Sequence, residues 1–560
     1  MLALLLVPAA VPAVAQDEQG WDVETTVPDP MDDLGSLEPA DGKWLKGEDG
    51  REYFVKEVKK VRGTYAYEGK DKIRYKHWFL FDLDHETADA FFIKIYKPAE
   101  RAPGSSPEEK AKEREAKLAE IAATYKLDVG ESDRITFKPF DRGLPRREMW
   151  RNGFDIADMN GDGHPDIVHG PARKGAPIPH IFLGDGAGNW KQWSEVRYPR
   201  SPYDYGDAAA ADFNGDGLMD LAFGFHLRGV LAMVQQSPGV FVRWSDGLDL
   251  AVPGAGSDAS GFSSRAIETA DWNGDGRPDI LALGEGPRPA GTKSNKDADT
   301  GMLPTQSFGL VVFLNQGDGT WKRDAGGDHR KGVFGDALAH GDVNGDGHMD
   351  VVTASNLLGV RDVLYLGHDD NSWSQDKLDA ARPSAYLESV AIADFDGDGR
   401  DDVAIGYASW EMKMWRTGLD ILLAREGGTW QRKSIFLDES RLSLWALATG
   451  DIDGDGHADV VTATGKGDMI VFLGDGAGNF TREASPEMRS PHGCRGYAVR
   501  LHDLDGDGRD EVVAAFAGEG SALPMPEFPE TCKSGGAIVA WRADVGAPAG
   551  AQEAESTKAP

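Results

Sequence analysis

Seven nine-residue segments of this chain carry oxygen-bearing side chains in one fixed pattern. The first reads Asp158-Met-Asn160-Gly-Asp162-Gly-His164-Pro-Asp166, with Asp or Asn at positions one, three and five and a carboxylate at position nine. Hard oxygen donors that converge from a tight turn are the ligands that calcium prefers, and the two glycines permit the bends. The pattern therefore predicts calcium-binding turns, in which position seven offers only its backbone carbonyl and its side chain is free to vary.

The seven segments recur at a nearly regular interval, with starts 54, 59, 71, 52, 57 and 52 residues apart. Asp, Asn and Gly also crowd turns that bind nothing, but repetition at this period indicates a solenoid, propeller or array. The predicted metal residues, at positions one, three, five, seven and nine of each loop, are Asp158, Asn160, Asp162, His164, Asp166; Asp212, Asn214, Asp216, Leu218, Asp220; Asp271, Asn273, Asp275, Arg277, Asp279; Asp342, Asn344, Asp346, His348, Asp350; Asp394, Asp396, Asp398, Arg400, Asp402; Asp451, Asp453, Asp455, His457, Asp459; and Asp503, Asp505, Asp507, Arg509, Glu511.

The loops differ from the EF-hand, which needs a bidentate Glu at position twelve and a helix on each side. Position twelve is His169 in the first copy and Phe223 in the second. Short apolar runs such as Asp350-Val-Val-Thr-Ala follow the loops and are typical of strands. We therefore expect each ion in a turn between two strands.

The repeat around the third loop predicts four antiparallel strands. They are Ala266–Ala270 before the loop, Asp279–Leu283 after it, Gly309–Leu314, and Trp321–Arg323 beyond a Gly-Asp-Gly turn. Four strands per repeat, arranged radially, form a beta-propeller. Strands one to three are rich in alanine and valine, as expected where blades stack, and strand four is polar, as expected at an exposed edge.

The loops and one recurring phrase resemble the FG-GAP/VCBS repeat family, which includes the integrin alpha propeller. The phrase Leu183-Gly-Asp-Gly-Ala-Gly-Asn-Trp190 returns at Leu473–Phe480 and more loosely at Leu314–Trp321. The resemblance covers roughly residues 135–545. It implies an all-β fold, a seven-bladed beta-propeller with up to seven calcium ions in its blade turns, and a role in recognition or cell adhesion.

The seventh repeat lacks a fourth strand of its own. After its loop we find strands at Glu511–Ala515 and Ala537–Trp541, and then a tail rich in Ala, Gly, Pro and Glu. The segment Ile135–Phe140 has no other partner, and an unpaired edge is a liability that closure removes. We predict that this segment fills the missing outer edge and closes the ring.

The chain start predicts export. Residues 1–15 form an apolar run that ends in Ala13-Val-Ala15, a small-residue cleavage pattern, although positive residues before it are absent. This run is too short to span a bilayer and no later segment reaches the required length. We expect a signal peptide, no transmembrane segment, and a secreted or periplasmic protein.

The formal net charge of −33 need not indicate a basic partner. The first four loops hold three carboxylates each and the last three hold four each. Clustered carboxylates repel one another unless a cation lies between them, so metal loading and folding should be coupled. Binding to a nucleic-acid backbone is not expected from so acidic a chain.

The only two cysteines, Cys494 and Cys532, lie on either side of the last loop. In an oxidising compartment such a pair predicts a disulfide, and two buried free thiols are the alternative.

The region before the repeats is aromatic and strand-like, for example at Gly63–Tyr67, Trp78–Asp82 and Ala90–Tyr96, and Glu108–Tyr125 has helical spacing. We expect residues 16–40 to be a flexible segment, 41–130 a small aromatic-rich α+β domain, 135–545 the propeller and 546–560 a disordered tail.

The propeller end opposite to the metal turns is the expected binding face. Strand two-to-three and blade-to-blade connections meet there, and binding residues concentrate on loops that a rigid scaffold presents. Candidate contacts for a protein or glycan are Tyr203, Tyr205, Trp410, Trp415 and Trp445, each of which has packing on its own blade as an alternative.

No catalytic motif is present: the chain has no His-Glu-x-x-His, Gly-x-Ser-x-Gly or Walker loop, so no catalytic residue is assigned. The sequence favours a non-catalytic recognition module. The alternative is a carbohydrate-active enzyme, a polysaccharide lyase or glycoside hydrolase, that uses paired carboxylates at the same rim.

Overall fold

A computed structural model describes most of the repeat region and six short segments before it. The described residues are 127, 129–173, 175–226, 228–248, 263–284, 309–324, 333–369, 372–382, 384–411, 414–484, 487–491, 493–518 and 535–545, with 15–16, 22–23, 42–46, 52–56, 63–68 and 74–79. The chain divides into two compact units, residues 1–123 with 288–303, and residues 124–287 with 304–560.

The first unit contains three antiparallel strand pairs among its described residues. They are β1 (Ala15–Gln16) with β2 (Asp22–Val23), β3 (Gly42–Lys46) with β4 (Glu52–Lys56), and β5 (Gly63–Glu68) with β6 (Arg74–Phe79). The helix expected at 108–125 and the tail at 546–560 lie outside the described residues. The described part of the chain contains strands and turns and no helix. Among these residues there is accordingly no helix long and apolar enough to cross a membrane.

The second unit is a seven-bladed beta-propeller. Two strands precede the blades, β7 (Val129–Ser132) and β8 (Ile135–Pro139). From the inside outward, blade 1 is β9 (Phe154–Ala157), β10 (Asp166–His169), β11 (His180–Gly184) and β12 (Trp190–Gln192). Blade 2 is β13 (Gly206–Ala211), β14 (Asp220–Phe225), β15 (Gly229–Ser237) and β16 (Val240–Arg243). Blade 3 is β17 (Ser264–Ala270), β18 (Asp279–Gly284), β19 (Leu310–Asn315) and β20 (Trp321–Arg323).

The later blades repeat this order. Blade 4 is β21 (Leu338–Gly341), β22 (Asp350–Thr353), β23 (Leu364–Gly367) and β24 (Trp373–Asp376). Blade 5 is β25 (Ala385–Ala393), β26 (Asp402–Glu411), β27 (Met414–Arg425) and β28 (Thr429–Asp438). Blade 6 is β29 (Leu444–Gly450), β30 (Asp459–Thr464), β31 (Met469–Gly474) and β32 (Phe480–Glu483). Blade 7 begins with β33 (Arg495–His502), β34 (Glu511–Ala517) and β35 (Gly536–Val545).

The core lies between blades, where the faces of adjacent sheets meet. Every residue of β14, β18, β30 and β34 is buried. Such strands read as continuous runs of Val, Leu, Ile and Ala because both faces of the sheet are covered by neighbouring blades. The fourth strands β12 and β20 are short and largely polar, as the sequence predicted.

The ring closes through the segment that the sequence predicted. β8 pairs antiparallel with β35, with Phe137 opposite Ala543 and Pro139 opposite Trp541, and so supplies the fourth strand of blade 7. Phe140 then donates its backbone N–H to the carbonyl of Ala540 at 2.8 Å. Blade 7 is therefore built from strands at the two ends of the repeat region.

The segment 127–142, which we call the edge strap, contacts the outer edges of four successive blades. Leu127 bridges to Ser434 of blade 5, and β7 pairs in parallel with β32 of blade 6. After β8 completes blade 7, Arg142 bridges to Asn189 of blade 1. The sequence predicted only the blade 7 contact, because β7 has no repeat pattern of its own.

Loss of strap packing should open the ring. Phe137 is buried in the cluster between blades 6 and 7, so Phe137→Ala should lower the free energy of unfolding by about 3–4 kcal/mol. Its exposed neighbour Thr136 provides the control, since Thr136→Ala alters the same strand without removing core volume. Thermal and urea unfolding measure both variants, and equal midpoints would contradict closure by this strand.

Candidate metal centres and channel mouth

Each acidic loop lies between strands one and two of its blade and is organised by backbone hydrogen bonds. In the first loop Asp158 accepts the N–H groups of Gly161 at 2.7 Å and Gly163 at 2.8 Å. Both glycines have positive φ, 75° and 87°, and the same two positions have positive φ in all seven loops. A side chain at either position would be strained, which explains why the Gly-x-Gly spacing is invariant along the chain.

The carboxylate at position nine is buried in every loop and fastens the turn to the rest of its blade. In blade 4, Asp350 accepts the N–H of Val343 at 3.1 Å through Oδ2 and that of Gly367, the last residue of β23, at 2.9 Å through Oδ1. The aspartates at position nine of the other five blades that have one make the same two contacts. This residue therefore has a structural role in addition to the expected metal role.

Burial raises the pKa of each position-nine carboxyl. The pKa rises to about 7 for Asp166, Asp220, Asp279, Asp350 and Asp402 and to about 8 for Asp459 and Glu511. Backbone N–H donors lower these values in part, and the other carboxylates of each loop raise them again. A cation between the carboxylates would remove that repulsion.

The loop geometry fits a calcium ion. In the last three loops the carboxylate oxygens of positions one, three and nine lie within 4.8 Å of one another, at Asp394, Asp396, Asp402; Asp451, Asp453, Asp459; and Asp503, Asp505, Glu511. Calcium takes oxygen ligands at about 2.3–2.6 Å, so oxygens on one ion are separated by up to about 5 Å. The first four loops have the same backbone turn with Asn at position three.

Four of the position-seven side chains, His164, Arg277, His348 and His457, lie against the turn between strands three and four of the same blade. A Cβ placed on Gly186 would lie 2.7 Å from Nδ1 of His164, and Arg277 Nε donates to the carbonyl of Asn315 at 2.8 Å. The two kinds of turn therefore lie at the same end of the propeller, as expected. The residue type at position seven varies between loops, and where it is His164 or Arg277 the side chain lies against this second turn.

At the opposite end, four innermost strands contain a β-bulge at the same place. The register shifts around Arg265, Glu388, Trp445 and Tyr497, each of which is the extra residue of its strand. All four line one cavity at the mouth of the central channel. A bulge re-aims the side chain it contains, and repetition in four blades shows that the mouth is shaped by the backbone.

The channel mouth is completed by Arg151 and Asn152, which precede β9. Asn152 is 6% exposed and has φ 73°. Within the described residues its Oδ1 and the Nε of Arg151 are buried without a hydrogen-bond partner. Strained backbone and unsatisfied polar atoms cluster at binding sites, where a ligand supplies the partner.

The channel mouth contains an ion pair and a buried carboxyl group. Arg265 contacts Asp336 at 2.8 Å. Glu388 accepts the N–H of Leu444 at 2.8 Å, and burial raises its pKa against the opposing effect of that bond and of nearby arginines. The sequence did not identify Arg265, Asp336 or Glu388 as candidates. A β-bulge leaves no pattern that can be recognised in a single repeat.

The five aromatic candidates have different surroundings. Tyr203 packs on its own blade against Phe225 and donates its hydroxyl to Pro199. Tyr205 stacks on His226 at 4.7 Å, and Trp410 contacts Trp415 at 5.2 Å across the β26–β27 hairpin.

Trp445 alone of the five lines the channel mouth. Its ring lies 5.5 Å from that of Tyr497 and 3.9 Å from the guanidinium carbon of Arg495. Arg441 lies over Trp415 in the same way, at 4.5 Å.

Deeper in the channel, Arg500 of blade 7 reaches Glu268 of blade 3 at 3.4 Å. Asp207 of blade 2 lies beside this pair and accepts the N–H of Ile267 at 3.1 Å. Burial raises the pKa of Asp207 to about 7 although Arg500 opposes the shift. The pair joins inner strands that are far apart around the ring.

The comparisons with known proteins agree with this geometry. A family model described as an FG-GAP-like repeat matches residues 158–223, 342–405 and 451–514, and each match begins at the first Asp of an acidic loop and contains two of the loops. The chain carries FG-GAP-like repeats. Integrin alpha pat-2 of Caenorhabditis briggsae is 28% identical over 231 residues, 38% of this chain and 18% of that protein. Integrin alpha pat-2 of Caenorhabditis elegans is 26% identical over 248 residues, 40% and 19% of the respective chains.

The matched part of this chain thus covers about a fifth of the length of these integrin relatives.

Among the cysteines, Cys494 is buried between blades 6 and 7 and is disulfide-bonded. Cys532, its expected partner, lies outside the described residues, so that pairing stays a prediction.

The structural role of position nine can be separated from metal binding. Asp350→Asn should lower stability by about 1–3 kcal/mol even in chelator, because an amide offers one oxygen to two backbone donors. Asp346→Asn, at exposed position five of the same loop, should lower stability mainly in calcium. Melting curves with calcium and with chelator measure the stability of both variants. If both variants lose the same stability in chelator, position nine has no structural role separate from metal binding.

Stabilisation by calcium should increase with pH. The pKa of an Asp carboxyl is about 4 in the unfolded chain and about 7 at Asp350 and about 8 at Asp459 in the folded one. The stability that these groups contribute without metal is therefore complete below about pH 4 and is lost as pH rises through about 7 to 8. Calcium binds the ionised form, so the difference in melting temperature between calcium-loaded and chelated protein should widen from about pH 6 to about pH 8.5. A difference that narrows over this range would refute the coupling.

Proposed function

We propose that this FG-GAP propeller is a secreted or periplasmic recognition module that calcium stabilises and that binds an extracellular protein or glycan at the channel mouth. The observation that carries the proposal is the set of four β-bulges that place Arg265, Glu388, Trp445 and Tyr497 around one cavity. The similarity to integrin alpha chains supports an adhesion or recognition role.

The chemistry of the mouth supports binding of a polar ligand. Trp445 and Tyr497 offer aromatic surfaces, and Nε of Arg151 and Oδ1 of Asn152 offer a donor and an acceptor that make no hydrogen bond within the described residues. Aromatic rings beside a few fixed polar groups are typical of sites that hold a ligand in one orientation. The calcium turns lie at the other end, so the ions would stabilise the scaffold without contacting the ligand.

Glycan arrays, together with binding assays on immobilised extracellular proteins, test this proposal. Trp445→Ala and Arg151→Ala should each weaken binding of any hit by at least about tenfold, the loss of one good contact. Gln316→Ala, an exposed change in a turn at the calcium end, is the matched control and should bind like wild type. Equal binding by all three variants would exclude the mouth as the binding site.

One observation favours the alternative of a carbohydrate-active enzyme. Glu388 is a buried carboxyl at the mouth whose pKa is raised by burial, as in a general acid. A reducing-end and unsaturated-product assay on the glycans that bind decides between the two functions. Binding without product supports the recognition module, whereas product formation that Glu388→Gln abolishes supports the enzyme.

A further inference from the structure

Among the loop positions that offer a side-chain oxygen, position three is the one at which the seven loops differ in charge. It is Asn in the first four loops and Asp in the last three. In both types the inner oxygen accepts the N–H of position five, at 2.9 Å for Asn160, 3.3 Å for Asp453 and 3.2 Å for Asp505. In the fifth loop Oδ1 of Asp396 has no hydrogen-bond partner within the described residues. In the sixth and seventh loops the exchange of Asn for Asp therefore keeps this bond and changes the second terminal atom of the side chain.

In three of the four asparagine loops that second atom is a donor used within the loop. Nδ2 of Asn160 donates to Asp162 at 2.8 Å, and Asn214 and Asn344 make the same bond to Asp216 and Asp346. An aspartate cannot make this bond, and its additional charge lies beside three other carboxylates. The exchange thus creates an acceptor that needs a donor and a charge that needs a partner.

Each of the three aspartates has an arginine on its second oxygen. Arg425 Nη1 donates to Asp396 at 2.5 Å, Arg542 Nη1 donates to Asp505 at 3.0 Å, and Arg134 Nη2 donates to Asp453. The aspartate side chains are 11%, 10% and 2% exposed, and the arginine side chains of the same pairs are 31%, 44% and 42% exposed. The carboxylates are therefore shielded from water while the guanidinium groups are partly solvated, so each pair is weakened by solvent to an intermediate degree.

The three arginines come from different parts of the fold. Arg425 ends β27 and Arg542 lies in β35, the third strands of their blades. Arg134 lies in the edge strap between β7 and β8 and reaches a loop 319 residues later in the chain. Because different elements supply the same contact, the contact is not a consequence of the repeated blade sequence.

The position-seven arginines are a separate feature. Arg277, Arg400 and Arg509 contact position five, and they occur with Asn at position three in the third loop and with Asp in the fifth and seventh. Arginine at position seven therefore occurs with either residue at position three. Arg134, Arg425 and Arg542, by contrast, contact loops that have Asp at position three.

We propose that Arg134, Arg425 and Arg542 are charge-balancing residues of the last three loops. Each holds the outer oxygen of the position-three aspartate and leaves the inner oxygen to the ion. Each stabilises the metal-free turn and weakens calcium binding relative to a loop with four uncompensated carboxylates. The affinity part of this inference rests on the proposed calcium binding, and the part about the metal-free turn does not. Through Arg134 the sixth loop is also coupled to the strap that closes the ring.

The test compares wild type with three variants. They are Arg134→Gln/Arg425→Gln/Arg542→Gln, the aspartate variant Asp396→Asn/Asp453→Asn/Asp505→Asn, and the variant that combines all six changes. The measurements are the melting temperature in chelator and calcium titration by calorimetry against a competing chelator. Arg243→Gln, an exposed change in β16, is the control for removal of one positive charge.

The arginine variant should melt at a lower temperature in chelator. It should also bind calcium more tightly at three sites, by about three- to tenfold. The reason is that the arginine, which repels the ion from the far side of one carboxylate in a water-like, screened medium, is gone. The combined variant converts the three loops to the asparagine type and should return both quantities toward wild type. If the triple variants do not fold, Arg542→Gln with and without Asp505→Asn gives the same signs.

The outcomes separate the two proposals. Weaker calcium binding by the arginine variant, or an unchanged melting temperature in chelator, overturns charge balance. No calcium uptake by wild type overturns the calcium proposal and the affinity part with it. In that case a lower melting temperature of the arginine variant, restored in the combined variant, still supports balance in the metal-free turns.

Discussion

Burial of a carboxylate at the start of each second strand is the constraint on which the propeller depends. In blade 4, Asp350 joins the acidic loop to β23 through two backbone N–H donors, and the other blades have an acid at the equivalent position. These bonds satisfy backbone groups that would otherwise be buried without partners. The same burial raises the pKa of the carboxyl and makes its charge costly, so the interaction that orders the turn also creates the demand for a cation.

Ring closure also starts from one missing strand and involves residues far apart in the chain. Blade 7 lacks a fourth strand of its own, and β8 supplies it from the other end of the repeat region. The edge strap extends this closure over the outer edges of blades 5, 6, 7 and 1. Because edge strands expose unpaired N–H and C=O groups, the strap removes two such edges and links them to the sixth loop through Arg134.

The two ends of the propeller differ in how their backbone is constrained. At the end that carries the acidic loops, the loops share glycine positions with positive φ and the same internal hydrogen bonds. At the other end, bulges in four inner strands place four different side chain types around one mouth. A repeated scaffold with one uniform and one variable end can carry recognition without altering the turns that hold the blades.

The sequence by itself determined the repeated features of this protein. The loops, the four strands of blade 3 and the use of Ile135–Phe140 as the missing edge follow from local pattern and from the count of strands. The tertiary structure decided the features that join residues far apart. Arg134 with Asp453, Arg500 with Glu268, and the grouping of Arg151 with Trp445 depend on blades that meet only when the ring closes. A period along the chain specifies what each blade repeats, whereas contacts across the channel and along the outer edge join residues that do not repeat.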